Sequence, residues 1–81
     1  QERLLREEEE KFIDYRFNRA LVIRLTQLRG AALDTFMVRY RPAIEFTHRS
    51  SDYDFQNYIK ESYRHYQKYR NMMNELRRSD E

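Results

Sequence analysis

Residues 20–38, ALVIRLTQLRGAALDTFMV, carry twelve apolar side chains in nineteen positions, and the way this stretch folds decides the architecture. It contains one glycine, Gly30, and no proline, and its residues are mostly good helix formers, so it reads as helix. Wound at about 100° per residue, Phe17, Leu21, Leu25, Leu28, Ala32 and Phe36 make one stripe at steps of four, four, three, four and four. Val22, Leu33 and Tyr40 lie beside it, and Ile23 and Met37 fall on the far side. A helix apolar on more than one face is contacted from more than one direction. Because the periodicity runs through Gly30, that glycine is expected to mark a close helix crossing rather than a break. Arg24, Arg29 and Asp34 interrupt the apolar surface too often for a membrane span.

Working outward, the helical pattern extends upstream through QERLLREEEEK, residues 1–11, where Leu4 and Leu5 are followed by no apolar residue until Phe12. Residues 1–13 are therefore expected to be a charged helical stub continuing from an upstream coiled coil in a longer protein. Downstream, Pro42 disfavours helix at Arg41 and ends a first helix at about residue 40. Residues 41–51 read as an ordered loop holding Ile44 and Phe46. Ser51 with Asp52 and Asp54 then has the chemistry of a helix start: a hydroxyl to accept an orphan amide, and acids at the positive helix end.

The second helix, about 52–78, has the clearest register. Phe55, Ile59, Ser62, Tyr66, Tyr69, Met73 and Leu76 follow a strict four-three alternation, a heptad seam. Within it YIKESYRHYQKYR, residues 58–70, interleaves Tyr58, Tyr63, Tyr66 and Tyr69 with Lys60, Arg64, Lys68 and Arg70. Single-strand binding needs aromatic platforms and cations on one surface. The helical wheel instead puts the tyrosines on the seam and Lys60, Arg64 and Lys68 on the opposite side. Aromatic core plus solvated cations is the reading that follows, with Arg70 and Arg77 bordering the tyrosine arc.

Composition narrows the function. The chain has 81 residues, no cysteine, one glycine, one proline and 37% charged residues, a make-up of long helices without disulfides or thiolate metal sites. Its net charge of +2 is unevenly spread: −2 over residues 1–11, +4 over 12–50 and zero over 51–81. The arginines of the middle segment scatter around the wheel, which argues against nucleic acid as partner. His48 and His65 are the only imidazoles, and Asp52 and Asp54 lack the glycine and the bidentate glutamate of a calcium loop. No nucleophile stands with a base and no glycine-rich cradle is present, so neither catalysis nor a cofactor is expected. Ser51 and Ser79 stand among mixed charges compatible with phosphorylation.

The expected fold is thus all-α: residues 14–81 as a long antiparallel coiled-coil hairpin, dimerising into a four-helix bundle to cover the second apolar face. Its core and interface are expected from Phe17, Leu21, Leu25, Leu28, Ala32, Phe36, Phe55, Ile59, Tyr66, Tyr69, Met73 and Leu76. The expected role is a non-enzymatic oligomerisation module of a larger intracellular scaffold or cytoskeletal protein. The alternatives are a hairpin that binds a helix of a different protein and, third, a basic nucleic-acid-binding module.

Overall fold

The computed structural model describes residues 2–79, and they are all helical apart from short connections. Five segments follow one another: α1 (Glu2–Arg16), α2 (Arg19–Thr26), α3 (Gly30–Arg39), α4 (Ile44–Arg49) and α5 (Asp52–Ser79). Gln1, Asp80 and Glu81, which end the two expected domain spans, lie outside the described residues.

The first helix of the expected hairpin is cut twice. At the first cut Asn18 is extended (φ −109°, ψ 160°) and serves both ends that meet there. Its side-chain oxygen accepts from the Leu21 amide at 2.9 Å, and its side-chain amide donates to the Tyr15 carbonyl at 2.9 Å. Capping of this kind contributes about 1 kcal/mol. At the second cut Gln27 adopts the left-handed conformation (φ 65°) and its amide bonds Ile23 O, closing α2 in the manner usually given to glycine. Thr26 secures the turn by donating to Val22 O at 2.7 Å and accepting from the Leu28 amide at 3.2 Å.

Gly30 opens α3 with φ +59°, and nothing beyond its chain neighbours and its own helix backbone lies within 4 Å of where its Cβ would be. The expected close crossing is therefore overturned: the glycine is needed for its backbone angle, not for space. Gly30→Ala is predicted to cost about 1 kcal/mol through that angle alone, which chemical denaturation will read as a lowered midpoint with an unchanged slope.

The cuts answer the two-faced apolar pattern. On a straight rod Phe17 and Leu33 point to different sides; with the chain bent, both are buried in one core, at 1% exposure each. No second chain is required to cover Val22 and Leu33, which removes the reason for placing the dimer on this stretch. The core contains Ile13, Phe17, Val22, Leu28, Leu33, Phe36, Phe55, Ile59 and Tyr66.

The bends also change the pairing. In a continuous hairpin Phe17 would lie some 23 residues, roughly 35 Å, from the connecting loop, opposite the end of α5. Instead its ring sits 6.5 Å from that of Phe55 in the first turns of α5. The helix packed most closely on α5 is α2, not the antiparallel partner expected, and α3 reaches α5 through side chains, with Tyr66 donating to Ala32 O, Tyr58 to Tyr40 O and Arg39 lying over Tyr69. The expected loop 41–51 holds α4, which packs on α1. Pro42 is buried two residues past Tyr40, where α3 closes. Ser51 accepts from the Asp54 amide at 3.0 Å, the expected cap of α5.

Candidate functional site

Arg16 at the end of α1 ties the two halves together. Its guanidinium donates to the Thr47 and Ser50 carbonyls, to Ser50 Oγ at 3.1 Å and to Asp52 Oδ1 at 3.3 Å, and it lies 4.3 Å from the centre of the Phe55 ring. The positive fork thus satisfies the carbonyl end of α4, where the helix dipole favours a cation, and pairs with the Asp52 carboxylate at the start of α5. Arg41 does similar work on the exposed side, bonding Asp14 at 2.6 Å and the Glu10 carbonyl at 3.2 Å. Both arginines act as structural ties, and Arg16 also lines an open cleft with Tyr15, Leu21, Asp52 and Phe55.

The tyrosines of residues 58–70 are absorbed by the same chain. Tyr66 is buried against Phe36 and Tyr40, with ring centres 5.6 and 5.8 Å away, and donates to Ala32 O at 3.2 Å. Tyr58 donates to Tyr40 O at 2.9 Å, and Tyr63 accepts from Gln67 at 2.6 Å. Each thus has a buried or half-buried ring with its oxygen partnered, as amphipathic aromatics require. Tyr40 in turn shares a 2.7 Å hydrogen bond with Nδ1 of His65. Lys60, Arg64 and Lys68 are exposed on the other side of α5, so aromatic and cationic sets are separated in space.

Tyr69 marks the edge of this packing. The Arg39 guanidinium lies 4.1 Å over its ring, and the Arg39 pKa, high already, is raised further, chiefly by hydrogen bonding to Tyr69. Beyond Tyr69 the seam has no cover: Met72, Met73 and Leu76 are 53%, 39% and 54% exposed. Met73 and Leu76 are therefore outside the core expected of them, because the segment that would have lain opposite them folded back onto the start of α5. With Tyr69 the three occupy an arc of about 100° on the wheel. An apolar cleft lined by His65, Lys68, Tyr69 and Met72 continues the arc toward the core. Lys68 and Glu75 flank it on one side, Arg70 and Arg77 on the other.

A second uncovered surface lies on α1. Leu4 and Leu5 are each 65% exposed, and Leu5, Glu8 and Glu9 line a cleft with Phe12 and His48. Phe12 and His48 stack there at 4.6 Å, which accounts for one of the two histidines as a packing group.

Of the remaining expected core or interface residues, Phe17, Leu28, Phe36, Phe55 and Ile59 are buried, while Leu21, Leu25 and Ala32 pack against the core from its rim. Sequence reasoning left Ile13, Val22 and Leu33, which are buried, out of the core: Ile13 stands one turn before Phe17 in the tract read as a charged stub, and Val22 and Leu33 lie beside the straight stripe and not on it. It also missed Arg16 and Thr47. Arg16 finds its partners 31 to 36 positions away, so no local pattern could have revealed it.

Among the described residues no group of three or more histidine, aspartate or glutamate side chains is arranged to hold a metal ion, and no helix is long and apolar enough to cross a membrane. No protein-family model, curated protein or solved structure matches the chain.

Proposed function

We propose that this chain is a non-enzymatic oligomerisation module that self-associates through the uncovered half of α5, within a larger intracellular scaffold or cytoskeletal protein. The observation that carries the reading is the continuation of the heptad register past the core, where Tyr69, Met73 and Leu76 keep the spacing of a packed helix while the last two lie in water. An apolar stripe with a polar rim on a regular helix is the usual form of a helix-in-groove or coiled-coil interface. Burying it on a partner recovers the free energy that its exposure forgoes, at about 25 cal/mol per Å² of apolar surface.

The dimer differs from the bundle first expected from the sequence. Leu28, Phe36 and Tyr66 are occupied inside one chain, so the association uses the helix end beyond them. The predominantly basic rim, Lys68, Arg70 and Arg77 with Arg39 over Tyr69, also favours an acidic amphipathic helix of a different protein as a second reading. Sedimentation velocity across a concentration series tests the first. The expected result is a species of twice the 10.2 kDa chain mass at tens of micromolar, dissociating on dilution. A sample that stays at one chain mass at the highest concentration overturns self-association and leaves the second reading.

A further inference from the structure

We propose that the uncovered face of α5 receives α1 of a second copy of this chain, so that two copies exchange these helices reciprocally about a two-fold axis. The inference rests on the self-association reading above and names the surface that meets the stripe.

The charge of the two helices argues for this occupant. Residues 64–78 of α5 carry five cations and one acid, Glu75. The start of α1 is the one acidic tract of the chain, with Glu7, Glu8, Glu9 and Glu10 in succession. Glu7, Glu8 and Glu9 are exposed, and among the described residues none of them is within ion-pair distance of a cation. Lys68 is likewise exposed and without an acidic partner among those residues. The two helices are therefore opposite in net charge, although α1 also carries Arg3, Arg6 and Lys11 and α5 carries Glu61 and Glu75.

The apolar residues fit the same pairing. On α1, Leu4 and Leu5 lie on either side of Glu8 on the wheel, with Glu7 and Glu9 at the two rims. On α5, Tyr69, Met72, Met73 and Leu76 form the stripe, with Lys68 at one rim and Arg70 and Arg77 at the other. Laying the leucines on the methionines sets Glu8 between the two stripes and brings Glu7 and Glu9 to rims that hold Lys68 with Glu75 on one side and Arg70 with Arg77 on the other, a net acidic helix on a net basic one. Such complementarity fixes partner choice and speeds encounter more than it adds raw affinity.

Two-fold symmetry then closes the assembly. Each copy offers one acidic helix and one basic helix, so a C2 arrangement forms the contact twice and leaves no arm to propagate a chain of subunits. Four helices meet, α1 and α5 from each copy, without any core side chain leaving its own chain.

Reciprocal charge reversal tests the exchange. One variant carries Glu7→Lys with Glu9→Lys, the other Lys68→Glu with Arg77→Glu; all four side chains are exposed, and unchanged circular dichroism and melting temperature will show that both variants fold. Alone, each variant pairs like with like twice, and its dissociation constant is expected to rise at least tenfold over wild type. Mixed in equal amounts, the two match both contacts at once, and a heterodimer of near wild-type affinity is expected, weakening as salt rises from roughly 50 to 500 mM. Two folded variants that dimerise as tightly as wild type would overturn the exchange while leaving self-association in place. So would a mixture that stays monomeric. A wild-type chain that is itself monomeric overturns both.

Discussion

Phe36→Ala is expected to lose about 3–5 kcal/mol of stability and to lower the melting temperature by at least about 12 °C. Phe36 has no exposed surface, and its ring centre lies 6.5 Å from Phe17, 4.9 Å from Tyr40 and 5.6 Å from Tyr66. Among the described residues it is therefore the one side chain in ring contact with Phe17 just past α1, with the close of α3 and with α5 together. Truncating it removes the burial of a whole aromatic ring and leaves a cavity that neighbouring rings, themselves held by hydrogen bonds from Tyr58 and Tyr66, are poorly placed to fill. For a chain of 81 residues the total stability is about 4–12 kcal/mol, so the loss is a large fraction of the whole. Val38→Ala, two positions away but 79% exposed, is the matched control and should change the melt little. Thermal denaturation followed by circular dichroism checks both. A Phe36→Ala chain that melts with wild type would mean that the bent arrangement of α1, α2 and α3 around α5 is not the one adopted.

Much of this packing was legible from residue spacing. The seam Phe55, Ile59, Ser62 and Tyr66 is buried in register, the Ser51 cap forms, and the separation of tyrosines from Lys60, Arg64 and Lys68 follows from the wheel. The breaks at Asn18 and at Gln27–Gly30 were not legible, for an identifiable reason. The periodicity of residues 17–36 is unbroken, and the signals that compete with it are single residues. Asn18 is a good cap but is tolerated within helices. Gln27 gives no sequence hint of a left-handed backbone. Gly30 suited both a crossing and a break, and its φ decides for the break. What tips the balance is tertiary: bending lets Ile13, Val22 and Leu33 join Phe17 and Phe36 in one core, a gain that a window of neighbouring residues does not register.

That misreading bears directly on function. Apolar residues on two faces of residues 20–38 first pointed to a second chain there, and the bends satisfy those faces internally. The unsatisfied surface moves to Met72, Met73 and Leu76, at the end of a helix that spans roughly 42 Å at 28 residues. The proposed interface is thus separable from the core, which a continuous two-chain bundle would not allow.

Separability makes the second large effect the decisive one. Met73→Glu with Leu76→Glu places two carboxylates in the stripe, where association would have to bury them unpaired, a cost of several kcal/mol per buried charge. Neither side chain belongs to the core, so the folded chain itself should be unaffected. Sedimentation equilibrium of wild type beside this variant, with thermal melts of both taken at a dilution where wild type is monomeric, is the measurement to make. The predicted result is a wild-type dimer, a variant at the mass of one chain, and superimposable melts. A variant that remains dimeric, or one that loses its fold together with its partner, would contradict an interface built on the uncovered end of α5.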